Sequence, residues 1–140
     1  MRICIDSCAF IHGLQMSDPA SVRLLDILST ELVVIIPRLV AQEVTRNLDS
    51  RAQVRHFYRL FHNREFAFII DDPVPEALVG KYAALGLPAK ADAFIGAFAE
   101  WMGVQYLISD NRHFLRELQT EAFEVVDAET FLERWETDTL

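Results

Sequence analysis

The chain has little cysteine, no long apolar run and no low-complexity segment, and each absence narrows the class of protein. Its 140 residues include two cysteines, Cys4 and Cys8, which are too few for a disulfide framework and suit a reducing compartment. The sequence contains no run of 18 apolar residues, so it predicts no membrane-spanning helix. The N-terminus reaches an acid at position 6 before a signal-peptide core can form, and we therefore expect a cytoplasmic protein with no membrane partner.

Basic charge is also scarce, but it is unevenly distributed. Thirteen lysines and arginines stand against 21 acids, and the formal net charge of -8 argues against tight nonspecific binding to nucleic acid. Five arginines nevertheless lie close together in the sequence: Arg46, Arg51, Arg55, Arg59 and Arg64. Those at positions 51, 55 and 59 recur every four residues and so form one stripe along a helix. Such a stripe could dock an RNA backbone or be an ordinary solvated face.

Apolar strand-like runs alternate with helical segments along the chain, whose composition is that of an ordinary globular protein. The pattern predicts strands at residues 2–6, 32–36, 66–70, 106–108 and 124–126. It predicts helices at residues 8–14, 19–28, 38–48, 50–62, 75–86, from Pro88 to the glycine turn at Gly103, at 111–118, and from 128 to 135, with Ser7 and Asp127 as caps. Strands that alternate with helices form parallel sheets covered on both faces. We therefore expect one α/β domain over residues 1–140, a three-layer α/β/α sandwich with a central, mainly parallel sheet.

Four acids stand at equivalent points of this plan. Asp6 ends the first strand, Glu43 lies on the helix after the second, Asp92 is in the first turn of the central helix, and Asp110 directly follows the fourth strand. In such apolar stretches an unpaired charge is costly, and carboxylates gathered together raise one another's pKa. A divalent cation such as magnesium removes both costs, because it binds carboxylate oxygens and substrate phosphate. Open α/β sheets bind ligands at the carboxyl ends of their strands, so the four acids predict a metal site there.

Each acid taken alone also has a purely structural interpretation. Asp6 could cap the following helix, and Asp92 could be a first-turn acid favoured by the helix dipole. Asp110 could form an Asx turn, and Glu43 could be a solvated helix residue. The combination is more specific than any single member, because all four acids fall at corresponding places of the alternating pattern.

Four ordered segments of the chain resemble PIN-domain ribonucleases, a family that includes toxins of the VapC type. The segments are ICIDSCAFI, PRLVAQEV, KADAFIGAFAEWMG and YLISDNRHF. The resemblance implies a PIN-like fold in which the catalytic and metal-binding residues are Asp6, Glu43, Asp92 and Asp110. It implies Mg²⁺ or Mn²⁺ as the cofactor, and an endoribonuclease that hydrolyses RNA phosphodiester bonds to leave a 5′-phosphate and a 3′-hydroxyl. It also implies an antitoxin protein as a partner and a homodimer.

Further residues are candidates for substrate binding. Ser7 and Ser109 match the small hydroxyl residues that the family often carries beside its first and last acids. Lys90 could reach a phosphate or be a solvated residue at the start of a helix. The arginines of the stripe complete this set: Arg51, Arg55 and Arg59. His113 stands where the family often has a further acid, so it could contact phosphate or be a surface histidine.

Two other functions compete with a nuclease. A PIN-like interaction module without catalysis would explain the missing acid at His113 and the net charge of -8. A phosphotransfer domain with Asp6 as nucleophile is disfavoured, because the dehalogenase pattern has a second Asp at the position of Cys8. Cys4, Cys8 and His12 share four-residue spacing, but Cys4 lies on a predicted strand and no fourth zinc ligand is evident. Buried cysteines are therefore favoured over a zinc site.

Overall fold

The protein, described here from a computed structural model, is built around a sheet of five parallel strands. The structure describes residues 1–62, 65–87, 90–138 and 140. The strands are β1 (Arg2–Ile5), β2 (Val33–Pro37), β3 (Ala67–Ile70), β4 (Tyr106–Ile108) and β5 (Glu124–Val126). Their order across the sheet is β3-β2-β1-β4-β5, and each neighbouring pair is parallel. The prediction of a mainly parallel sheet is confirmed.

Helices cover both faces of this sheet. They are α1 (Ser7–Leu14), α2 (Pro19–Asp26), α3 (Arg38–Asn47), α4 (Arg51–Leu60), α5 (Glu76–Ala84), α6 (Lys90–Trp101) and α7 (Ala128–Glu136), with one π-helix at His113–Glu117. Parallel crossovers are right-handed, so the helices between β1 and β3 lie on one face and those of the return crossover from β3 to β4 lie on the other. Packing agrees, since α1 contacts α2, α3 and α4, while α5 packs on α6. None of the described helices has the length and apolar character that a bilayer crossing requires.

The core lies between the sheet and its helices, and the strands supply much of it. Ile3, Cys4 and Ile5 of β1 are fully buried, as a strand covered on both faces requires. Phe10 of α1 meets Phe57 of α4 edge to face, with ring centroids 5.3 Å apart. The prediction of buried cysteines is confirmed for Cys4. Burial raises the pKa of its thiol.

Local details differ from the predictions at three places. Asp6, and not Ser7, is the N-cap of α1, because the Ser7 N–H donates to the Asp6 Oδ1 at 2.8 Å and the helix begins at Ser7 itself. The second helix ends at Asp26, earlier than predicted, and the helical segment after β4 is a π-helix. Two predicted features, Arg64 and the helix start at Pro88, lie outside the described residues.

Two glycines near the same helix are expected to respond oppositely to replacement by alanine. Gly86 has φ 108°, and an added Cβ would lie 2.7 Å from the backbone oxygen of Glu117, so Gly86→Ala should destabilise the protein by about 2 kcal/mol. Gly80, inside α5, has open space around its Cβ position, so Gly80→Ala should stabilise it by about 0.5–1 kcal/mol. Urea unfolding measures both. A Gly86→Ala protein as stable as the parent would contradict the positive φ described here.

Candidate active site

The site lies at the carboxyl end of the sheet, where β1 and β4 are neighbours. Strands β2 and β3 are added on one side of β1, whereas β4 and β5 are added on the other side. Such a switch point in the strand order opens a crevice between the loops that follow β1 and β4. The Asp6 N–H donates to the Ile108 carbonyl at 2.9 Å, so both strands end at the same level. The residues after β1 and β4 therefore begin side by side, although they are about a hundred positions apart in the sequence.

Asp6 is the fixed centre of this site. Its side chain is buried, its Oδ1 accepts the Ser7 N–H at 2.8 Å, and its Oδ2 accepts the Ser109 hydroxyl at 2.9 Å. Burial raises the pKa of Asp6, and the nearby carboxylates of Glu43 and Asp92 raise it further, while the two hydrogen bonds lower it without reversing the shift. An ionised Asp6 is thus costly in the folded protein unless a positive charge accompanies it.

Glu43 and Asp92 face the same region from two different helices. Glu43 is in the second turn of α3, which follows β2, and Asp92 is in the first turn of α6. Both are half-buried. Burial raises the pKa of Asp92, Glu43 raises it further, and His113 and Asn111 lower it. Asp6, Glu43 and Asp92 therefore form one electrostatic cluster, which we call the acidic cluster.

Asp110 is exposed and meets a different neighbour, Cys8. The pKa of the Cys8 thiol is raised to about 12, first by burial, next by the charge of Asp110, then by Asp6, a hydrogen bond with Asp110, and Glu43. Asp110 also lines a cavity of about 180 Å³ between β4 and the starts of α2 and α7. It thus borders the acidic cluster on the side of α1, and a role for it in metal binding stays a prediction.

Asn111 contributes to the site although it was not assigned to it from the sequence, and His113, which was weighed as a phosphate contact or a surface histidine, lies beside it. The Asn111 Nδ2 donates to the Asp92 Oδ1 at 3.5 Å, and the Asn111 N–H donates to the Ser109 Oγ at 3.0 Å. The His113 Nδ1 lies 2.6 Å from the Glu117 Oε2, and an electrostatic interaction with His113 lowers the pKa of Asp92. One signal could have indicated Asn111, because a strand that continued past Ile108 would place Ser109 and Asn111 on one side and Asp110 on the other.

The remaining candidate residues have distinct locations. Ser7 and Ser109 are buried and hold Asp6, so they position a site residue; a direct contact with substrate stays a prediction for both. Lys90 is exposed at the first position of α6. The arginines of the stripe are exposed along α4: Arg51, Arg55 and Arg59.

As the side chains stand, no group of three acids, histidines or cysteines in the described ranges is gathered closely enough to hold a metal ion. Carboxylates that raise one another's pKa repel, so an open arrangement is expected of them. The donors are nonetheless carboxylate oxygens, the ligands that Mg²⁺ and Mn²⁺ prefer over nitrogen and sulfur. The chemistry of the donor set fits such an ion.

Comparison with known proteins gives one matching family model and two solved structures of similar fold. A family model described as PIN domain matches residues 3–121. A chain in the crystal structure of VapBC2 from Rickettsia felis, bound to a DNA fragment from their promoter, superposes with a TM-score of 0.67 at 15% identity, covering 91% of this chain and 98% of that one. PAE2754 from Pyrobaculum aerophilum superposes with a TM-score of 0.60 at 21% identity, covering 98% and 96%. Comparison with curated protein sequences gives no significant match.

Proposed function

Because this chain belongs to the PIN domain family, we propose that it is a metal-dependent endoribonuclease. PIN domains are generally nucleases, which supports hydrolysis of a phosphodiester bond. The observation that carries the proposal is Asp6, a buried carboxylate whose pKa is raised by burial and by two neighbouring acids. Such a group is expensive for the fold, and perturbed acids in a crevice are typical of functional sites. The proposed catalytic and metal-binding set is Asp6, Glu43, Asp92 and Asp110.

The proposed cofactor is Mg²⁺ or Mn²⁺, held by the acidic cluster with Asp110 at its border. When bound, such an ion supplies Lewis-acid activation of water and stabilises charge on the leaving oxygen. The protein's own residues do the positioning. Ser7 and Ser109 fix both oxygens of Asp6, and Asn111 restrains Asp92 through its amide. Because hydrogen bonds to an ionised carboxylate favour that form, these contacts keep Asp6 available as a ligand despite its burial.

The proposed partners follow from the family and from one of the solved structures. VapBC2 is described as a pair of proteins bound to promoter DNA, and a chain of that complex shares this fold. This likeness supports a toxin that pairs with an antitoxin protein. RNA as the substrate and the cytoplasm as the location are further parts of the proposal. A homodimer is also part of the proposal.

The test is RNA cleavage by variants of the acidic cluster. Asp92→Asn should lower the cleavage rate at least about 100-fold, the scale for losing a group that acts on the reacting atoms, because it removes a charge that would hold the ion. Asp72→Asn is the control, since Asp72 is an exposed acid in the turn after β3. The assay uses structured and single-stranded RNA with Mg²⁺ or Mn²⁺, single-stranded DNA beside them, and identifies 5′-phosphate ends.

Calorimetric titration with manganese decides between the nuclease and an interaction module without catalysis. The nuclease predicts binding that Asp92→Asn weakens and Asp72→Asn leaves unchanged. A protein that neither binds manganese through its carboxylates nor cleaves RNA would be the interaction module. Full activity in a well-folded Asp92→Asn protein would contradict the proposed set of residues.

A further inference from the structure

Helix α4 presents basic and aromatic side chains to solvent on a protein that is acidic overall. Arg51, Arg55, Tyr58 and Arg59 are exposed on this helix, and His62 is exposed just beyond it. We call these five residues the α4 surface. Among the residues that the structure describes, none of its arginines is in an ion pair. Their charge is therefore available to a ligand, in a chain whose formal net charge is -8.

A groove of about 410 Å³ opens at the carboxyl-terminal end of α4, between that helix and the edge strand β3. Half of its eight lining residues are aromatic, namely Tyr58, Phe61, His62 and Phe68. This volume is within the range of small-ligand sites. The groove is therefore large enough for one planar ring and offers faces on which such a ring can stack.

An ion pair forms part of the lining of this groove. The Arg38 Nε donates to the Asp71 Oδ1 at 2.7 Å, and the Arg38 Nη2 donates to the Asp71 Oδ2 at 3.1 Å. The hydrogen bonds with Asp71 raise the pKa of Arg38, and those with Arg38 lower the pKa of Asp71. The two contacts fix the orientation of the planar guanidinium. Such a group recognises the edges and faces of bases.

The Arg38–Asp71 ion pair of the groove lies at the same edge of the sheet as the acidic cluster. Arg38 directly follows β2 and Asp71 directly follows β3, as Asp6 follows β1. Strands are about 4.8 Å apart, so β3 is roughly 10 Å from β1 across that edge.

We propose that the α4 surface and its groove bind single-stranded RNA, with the arginines on the phosphates and one unpaired base stacked in the groove. This inference rests on the proposed nuclease function and names where its substrate lies. Residues four apart on a helix are about 6 Å apart along its axis, so Arg51, Arg55 and Arg59 can follow successive phosphates. The aromatic groove favours RNA over an acidic protein partner, because unpaired bases require stacking surfaces and acidic side chains do not.

The first test measures how RNA affinity depends on salt. A fluorescein-labelled 12-nucleotide RNA is titrated with full-length protein in EDTA, so that metal-dependent cleavage does not occur. Replacing Arg51, Arg55 and Arg59 together by Gln should lower the slope of log affinity against log salt by about 2, since each lost phosphate contact removes roughly 0.7. Arg116→Gln is the matched control, because Arg116 is exposed on the π-helix and is in no ion pair among the described residues. Its slope should stay within about 0.3 of the parent value, well below the roughly 0.7 of one lost phosphate contact.

The second test separates stacking from hydrogen bonding at the groove. Tyr58→Ala should weaken RNA binding about tenfold, on the scale measured for loss of one stacked base. Tyr58→Phe keeps the ring and should bind within about twofold of the parent, since stacking does not need the hydroxyl. Equal losses in both variants would overturn stacking.

The outcomes distinguish this inference from the function on which it rests. If the parent cleaves RNA but both the triple arginine variant and Tyr58→Ala bind with parental affinity and salt slope, the α4 surface is not the RNA site. If the parent neither binds nor cleaves any RNA tested, the proposed function fails with it. If the triple variant keeps its RNA affinity but changes from dimer to monomer in sedimentation, the surface is an interface with a second copy and the inference is overturned.

Discussion

Replacing Asp6 with asparagine is expected to abolish RNA cleavage and, at the same time, to make the metal-free protein more stable at neutral pH. Asparagine keeps the acceptor that caps α1 through the Ser7 N–H, and the Ser109 hydroxyl can turn to accept from the new amide. It removes a buried charge that Glu43 and Asp92 repel. The expected gain is about 1 kcal/mol, as for other stabilising changes at functional sites.

The pH dependence of this gain follows from the sign of the pKa shift. The pKa of Asp6 is raised by burial, so the folded protein holds the proton more tightly than the unfolded chain does. The stabilising contribution of Asp6 is therefore complete below the unfolded pKa, about 3.9, and is lost as the pH rises through the higher folded value. Urea unfolding of the parent and of Asp6→Asn should show stabilities that differ most at neutral pH and converge toward pH 4.

Metal adds an independent check on the same variant. Manganese should stabilise the parent, since a ligand that binds only the folded state shifts unfolding by mass action, and it should stabilise Asp6→Asn far less. Cleavage should fall at least about 100-fold. An Asp6→Asn protein that is less stable than the parent at neutral pH would mean that the two hydrogen bonds outweigh the repulsion, and active Asp6→Asn protein would remove Asp6 from the catalytic set.

Replacing Phe57 with alanine is expected to cost about 3–5 kcal/mol of unfolding free energy, the largest loss of stability that we predict. Phe57 is fully buried on α4, where its ring contacts Phe10 edge to face and lies 5.1 Å from the ring of Phe61. Removing it opens a cavity where α4 docks on α1. Since small proteins have only about 5–15 kcal/mol of stability, much of the protein should unfold in mild urea.

The neighbouring aromatic residue is the matched control for this prediction. Tyr58 is 36% exposed and its ring meets that of Phe57 edge to face at 5.3 Å, so Tyr58→Ala should cost about 1–2 kcal/mol, less than Phe57→Ala. The two variants are compared in the same urea titration, followed by circular dichroism. A Phe57→Ala protein within 1 kcal/mol of the parent would contradict the packing of α4 on α1. The contrast also supports the RNA-binding test, because a stable Tyr58→Ala protein can lose affinity only through the surface.

Much of the fold could be predicted because its signals are local. The run Val33–Ile36 is apolar and β-branched, as a strand buried on both faces must be, and Asp18-Pro19 marks the start of α2 as a capping acid and a first-turn proline do. Glu43 and Asp92 were recognised as site candidates because, with Asp6 and Asp110, they fall at corresponding places of the alternating pattern. We expected both residues to lie near Asp6. The electrostatic interactions among the three carboxylates support this expectation.

The pairing of distant segments and the direction of side chains were decided only by the tertiary structure. Local propensity carries no information on strand order, so the order β3-β2-β1-β4-β5, which brings Ser109 onto Asp6, could not be read from the chain. The same holds for the loop after β4, where backbone geometry turns Asn111 toward Asp92 and leaves Asp110 beside Cys8. Residue types along the chain determined which groups were available to the site. Long-range packing decided which of these groups meet, because a contact between segments a hundred positions apart depends on every element folded between them.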